Sequence, residues 1–302
     1  MALTINTNLS SIVAQNNLSK ATTSLNKAIE RMTTGYKINY AGDNAAGYSI
    51  ARNWETQLSS LDVAADNAAT GADMMSTLED HYSLISTHLQ RVRDLTEQAA
   101  NGTYGSSSLK AIRSEINARL EEVDRIAKNC EFNGQHLMDE SMGAIKLQVG
   151  LYSNSDSQIE LKADLFKKAE VGELFKKYSK GDGSTDDSLS TREAVANACT
   201  GYDKDGDPVL ADPAAMLNKI DNVIKELSNR TTTLGAAQNR IDSAIESIAV
   251  QSENITSSLS TLRDADIAEE SSNYIKAQIL QQAAATLLST ANQTPSIALN
   301  LL

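Results

Sequence analysis

Aromatic side chains are scarce in this 302-residue chain, which holds nine Tyr, three Phe and one Trp. A compact globular core of that size draws much of its buried area from aromatics, so the shortage favours long helices packed side by side. Proline is rarer still, at three residues. The two cysteines, Cys130 and Cys199, are too few for a disulfide scaffold, and their separation neither supports nor excludes a bond. No window approaches 18 consecutive apolar residues, so no transmembrane helix is expected. The opening MALTINTNLSSIVAQ lacks the basic start and continuous apolar stretch of a secretory signal peptide. Basic residues are outnumbered, 27 Lys and Arg against 39 Asp and Glu, for a formal charge of −12. Such a surface repels phosphate backbones and argues against nucleic-acid binding.

Charge is missing from two places in particular. Residues 1–29 carry only Lys20 and Lys27, and residues 277–302 carry no charged side chain. In the first segment Leu18, Thr22, Leu25, Ile29 and Met32 form a helical seam. In the last, Ile275, Ile279, Ala283 and Leu287 line one face, while Leu280, Ala284, Leu288 and Ala291 line its neighbour. A surface helix normally turns a charged face to water. Pairing the two ends within one chain covers only part of these faces, which implies a self-assembling protein completed by copies of itself. The Gln- and Asn-rich remainder disfavours a lipid-facing, pore-forming role.

Between the ends the periodicity is strong. Ile220, Ile224, Leu227, Thr231, Leu234, Gln238, Ile241, Ile245, Ile248, Ser252, Ile255, Leu259 and Leu262 advance in alternating steps of three and four, a heptad seam. Asp212 and Pro213 supply its N-cap and first-turn signals. At 1.5 Å per residue this helix is expected to run roughly 70 Å. Gly47, Ala51, Trp54, Leu58, Leu61 and Ala65, then Met75, Leu78, Tyr82, Ile85, Leu89 and Val92, repeat the pattern. NGTYGSSS (101–108) reads as a turn, and Leu109 to Ile126 as a further helix. AIKLQVGLYSNSDSQIEL (144–161) alternates, turns and resumes, as a β-hairpin does. Residues 167–212 read as a polar surface insertion with one or two small helices. The expected class is mainly α: an elongated antiparallel helical bundle and coiled coil with a small β-hairpin region.

The stretch GDNAAGYS (42–49) matches a phosphate-binding loop in everything except lysine, whose place Tyr48 takes. That chemistry requires a preceding strand and a Lys on the phosphates. Here no strand precedes the loop, and Asp43 sets negative charge where phosphate would lie. A spoke between two helical rods is the better reading, with Gly35 in the left-handed position past a helix end, Gly42 allowing the bend and Asp43 capping the next helix. DKDGDP (203–208) lacks the order and the bidentate Glu of a calcium loop and reads as a solvated turn. His81 and His88 share a helix face without a third ligand. Cys130 suits a small apolar role at a helix end. No hydrolase or metalloprotease motif occurs, so no catalytic, metal or cofactor-binding residue is expected, and no cofactor.

The order INTNLSSIVAQNNL, RMTTGYKINYAGDNAAGYSIA, LQRVRDLTEQAANGT, INARLEEVDRIAKNCEFNGQHLM, LQVG, AAQNRIDSAI and SNYIKAQILQQAAATLLSTANQTPSIALNLL resembles bacterial flagellin. The likeness covers residues 1 to about 165 and about 213 to 302. Departures are few. Tyr40 to Asn44 replace a loop that more often carries a basic residue and paired aspartates, Cys130 is unusual, and the outer variable domains are reduced to 167–212. The resemblance implies an inner-tube helix and spoke in 1–43, bundle and hairpin in 44–166, the insertion in 167–212, a bundle helix in 213–262 and an inner-tube helix in 263–302. It implies inner-tube packing by Leu18, Leu25, Ile29, Met32, Ile275, Ile279, Leu280, Leu287 and Leu288.

It also implies a filament subunit for swimming motility, extracellular, exported unfolded by the flagellar type III apparatus without a cleaved signal peptide and polymerised at the distal tip. The implied partners are itself, an export chaperone on about 263–302, the filament cap and hook-junction proteins. The family's segment LQRVRDL is read by a Toll-like innate receptor, and Gln90, Arg91, Leu95 and Glu115 match the contact positions. The plainer reading puts Leu89, Val92 and Thr96 in a helix seam and pairs Arg91, Arg93 and Glu115 on packed subunits. The nearest rival is a hook–filament junction protein.

Overall fold

The helices begin and end where the caps and breakers stand. The computed structural model describes residues 8–139, 142–176, 189–202 and 212–299. Helix α1 spans Leu9–Thr34 and opens on Asn8, whose side chain accepts from the Ser11 N–H at 3.1 Å. It closes on Gly35 at φ 75°, a left-handed conformation that a side chain would strain. Helix α2 spans Ala45–Ala100 and α3 Ser106–Lys128, on either side of a turn at 101–105 that is shorter than the 101–108 expected. Helix α6 spans Pro213–Arg263 and α7 Ile267–Leu299. As the sequence implies, Asp212 caps α6: its Oδ1 accepts from the Ala214 N–H at 2.9 Å.

The chain divides into two units, residues 60–250 and residues 1–59 with 251–302. In residues 60–250 the expected seams are the core. Met75, Leu78, Tyr82, Ile85, Leu89 and Val92 of α2 are fully buried, with Ile116, Leu120 and Val123 of α3 and Ile220, Leu234 and Ile241 of α6, while Val223 is fully buried beside the expected Ile224, which is only half-buried. Each such aliphatic side chain contributes about 1.5–3 kcal/mol of transfer free energy. Two of the polar breaks in the α6 seam are satisfied, one within the helix and one across to α2. The Thr231 hydroxyl donates to the Leu227 carbonyl, and Gln238 donates to the Glu79 carboxylate at 2.9 Å. That bond, with Arg93 Nε to Asp221 Oδ1 at 2.6 Å, sets α2 and α6 antiparallel. The one large aromatic in the seam, Tyr82, is satisfied too: its hydroxyl donates to the Leu165 carbonyl at 3.0 Å.

Two hairpins close this unit. Strands β1 (Glu131–Phe132) and β2 (Gln135–His136) flank Asn133 at φ 50° and Gly134 at φ 79°, the turn that Asn-Gly favours. This first hairpin is an addition to the elements expected from periodicity. Strands β3 (Ile145–Gln148) and β4 (Gln158–Leu161) form the expected hairpin, Ile145 opposite Leu161 and Leu147 opposite Ile159. Leu147 lies so near Gly71 of α2 that a Cβ there would stand 2.4 Å from Leu147 Cδ1.

The insertion holds the two small helices expected of it, but one face of each is buried rather than at the surface. Helices α4 (Val171–Lys176) and α5 (Arg192–Thr200) bury Val171, Leu174, Phe175, Val195, Ala196 and Cys199 in the same core. The described part of 167–212 is therefore an added layer whose apolar face joins the core. Its few apolar residues are spaced for one face of two short helices, and its many charges mask them in a composition count. The DKDGDP segment lies outside the described residues.

Candidate functional site: the terminal helix pair and its loop

Helix α1 packs antiparallel on α7, and the seam between them is built on alanine. Ala14, Ala21 and Ala28 of α1 and Ala277 and Ala284 of α7 are buried, each set at steps of seven. Small side chains let two backbones approach closely. Polar bonds set the register. Asn8 Nδ2 donates to the Ala291 carbonyl at 2.7 Å, Gln281 Nε2 to Thr22 Oγ1 at 3.1 Å, and Arg31 pairs with the buried Glu270 at 2.9 Å.

Leu18, Leu25, Met32 and Leu288 flank this seam, half-buried. The remaining inner-tube candidates do not enter it. Ile29, Ile275, Ile279, Leu280 and Leu287 face outward, Ile279 at 59% exposed and Leu287 at 63%. The expected seam of Leu18, Thr22, Leu25, Ile29 and Met32 is thus corrected: Ala28 takes the inward position, and Ile29 lies a further hundred degrees or so around the helix. Leu9, Ile12 and Val13 are exposed as well. Intramolecular pairing buries the small residues, half-covers Leu18, Leu25, Met32 and Leu288, and leaves the other large ones exposed. A groove of about 640 Å³ runs beside the seam, floored by the alanines and edged by Lys20, Lys27, Arg31 and Lys276.

The loop from Gly35 to Asn44 is tied to the α6–α7 junction. Lys37 N–H donates to the Arg263 carbonyl at 2.7 Å, and Ala265 N–H to the Gly35 carbonyl at 2.8 Å. Arg263 lies over the Tyr36 ring at 4.1 Å and pairs with Glu55. Asp43 does not cap α2. Asn44 does, its Oδ1 accepting from the Gly47 N–H at 3.0 Å. Asp43 instead binds Lys27 at 2.8 Å and accepts from the Asn39 and Tyr40 N–H groups. The Lys27 hydrogen bond holds its carboxyl below the usual range. Gly42 has open space around it and no left-handed φ, so no glycine is required there. Gly47 is the constrained one, since a Cβ would stand 2.8 Å from Ile38 Cδ1. The loop follows a helix rather than a strand, and Asn44 occupies the N–H group that a phosphate would need.

Residues 5–142 match the bacterial flagellin N-terminal helical region, and residues 217–302 match the bacterial flagellin C-terminal helical region. The chain belongs to the bacterial flagellin family. This flagellin is 33% identical over 306 residues to the flagellin of Bacillus subtilis, with 99% of each chain covered. It is 35% identical over 325 residues to that of Xenorhabdus nematophila, covering all of both. A flagellar hook-associated protein from Vibrio parahaemolyticus shares its fold at TM-score 0.58 and 15% identity, over 74% of this chain and all of that one. Full-length relatedness to flagellins, against fold alone for the hook-associated protein, favours the filament over the junction reading. This flagellin is a structural subunit of the filament and not an enzyme.

On its α2–α3 face, Gln90 and Arg91 are exposed, and Arg91 pairs with Glu115 at 2.9 Å. Leu95, which the resemblance matches to a receptor contact, is 2% exposed and belongs to the core. The reason is α5. Arg113 Nε donates to Asn197 Oδ1 at 2.7 Å and Arg192 reaches Asp124, which holds α5 on α3, and Val195 and Cys199 of α5 share the buried cluster of Leu95. Arg93 pairs within the chain, with Asp221 and Glu97. His81 Nδ1 lies 2.8 Å from the Thr77 carbonyl oxygen, and burial lowers the pKa of His88.

Sequence reasoning missed the alanine seam, Arg263 and the Arg31–Glu270 pair. The steps of seven in Ala14, Ala21 and Ala28 would have found the first. Nothing local marks the other two.

Proposed function

We propose that the terminal helix pair is the polymerisation surface of this subunit. In this reading Ile29, Ile275, Ile279, Leu280 and Leu287 nest against the same helices of neighbouring copies to line the filament's inner tube, with Leu18, Leu25, Met32 and Leu288 holding each pair together. Gly35, Gly42 and Asp43 belong to the spoke leading away from that tube. The single observation that carries the reading is a charge-free stretch in which Ile279, Leu280 and Leu287 lie outside the seam that its own chain provides. Subunits reach the growing filament outside the cell through the flagellar type III apparatus. A chaperone covers 263–302 beforehand, and growth occurs under the filament cap beyond the hook-junction proteins. Recognition by a Toll-like receptor rests on Gln90, Arg91 and Glu115 alone.

The test replaces Ile279 and Leu287 with Glu. Both face solvent in the isolated chain, so circular dichroism is expected to match the parent. Seeded filament growth is expected to fall at least about a hundredfold, because each buried unpaired charge costs several kcal/mol. Growth at the parental rate would refute the assignment.

A further inference from the structure

We infer that the native fold and a disulfide between Cys130 and Cys199 are mutually exclusive, so that the chain folds only as the dithiol. Both residues are completely buried in one core, yet they lie at different levels of it. The length of α3 measures the gap. On α3, Arg113 binds Asn197 two residues before Cys199, and the helix then runs 15 residues to Lys128 beside Cys130. That route gives about 22 Å. A disulfide needs Cα atoms roughly 4.4–6.8 Å apart. Bridging the gap would strip α5 from α3 and open the core over Leu95.

The unfolded chain has no such barrier. The cysteines are 69 positions apart, and loops of that size close at modest entropic cost. With glutathione disulfide as oxidant, the thiolate of one cysteine attacks a glutathione sulfur and expels one glutathione thiolate. The second cysteine's thiolate then attacks the protein sulfur of the mixed disulfide and expels the other. Two protein thiols are oxidised, the reagent's S–S bond is reduced to two thiols, and the protons lost by the cysteines end on glutathione. The product is locked out of the native state until a reductant reverses the exchange. In the folded protein, burial pushes both thiols up to about 12, which suppresses the attacking thiolate.

The experiment uses the full chain. Native protein is exposed to a maleimide, with zero thiols expected to react, and two in urea. A second sample is oxidised in urea with glutathione disulfide, and the intramolecular product is isolated by its mass, two daltons below the dithiol. Diluted from urea, it is expected to lose native helical dichroism completely and to regain it on adding dithiothreitol. The Cys130→Ala/Cys199→Ala variant is expected to refold with or without oxidant. Should that variant be unstable, the comparison of reduced and oxidised parent stands alone. Native dichroism in the isolated disulfide form would overturn the inference, as would formation of the bond in never-unfolded protein. Because the readout is folding, either result leaves the polymerisation proposal untouched.

Discussion

Leu95 and Leu84 sit eleven residues apart on α2 and make a matched pair for experiment. Leu95 is enclosed by α2, α3 and α5, whereas Leu84 is 51% exposed. Leu95→Ala is expected to cost about 2–5 kcal/mol through the cavity it leaves. Leu84→Ala should stay within about 0.5 kcal/mol, and urea midpoints of the two variants distinguish them. The buried thiols give a pH signature. Their pKa values are raised in the fold to about 12 from 9.0, so the unfolded chain releases its thiol protons first as pH rises. Stability from this source is intact below pH 9.0 and declines between there and about 12. Replacing both cysteines with Ala should flatten that alkaline decline in urea titrations at successive pH values. At this scale the sequence was hardest to read. Asp43 and Asn44 are both good caps. Only the fold, by bringing Lys27 against Asp43, decides that Asn44 takes the helix.

Helices and the longer hairpin were legible because their signals are periodic and local. Heptad spacing marked α2, α3 and α6, alternation marked β3 and β4, and Asp212-Pro213 marked a start. The β1–β2 hairpin was equally legible in its Asn-Gly turn, but two-residue strands leave no alternation to notice. The burial of α5 was not legible, because nine residues cannot announce which helix they will cover. Its importance can be measured. Val195→Asp places a carboxylate at a fully buried site and is expected to cost several kcal/mol, read as loss of the cooperative urea transition. The α2–hairpin contact has a milder test. Gly71→Ala pushes on the end of the Leu147 side chain and should cost about 1–3 kcal/mol. A neutral outcome would mean that β3 shifts freely on α2.

At the level of the whole molecule, a charge of −12 opposes the crowding of identical subunits. Apolar contact has to exceed that repulsion. Raising ionic strength from about 10 mM to about 150 mM shortens the screening length from roughly 30 Å to roughly 8 Å. Seeded elongation, followed by light scattering, is therefore expected to accelerate over that range. Slowing would indicate that ion pairs between subunits dominate instead. The charge balance and the uncharged ends were plain in the sequence, and they carried the self-assembly reading. Which residues each chain spends on itself became visible only with the register of α1 on α7.

That register has a thermal consequence. Bulky aliphatic groups left outside an alanine seam attract one another through water's own reluctance to surround them, and this drive weakens on cooling. Fibres joined chiefly by Ile279, Leu287 and their neighbours should therefore loosen as ice temperature is approached and knit again on warming.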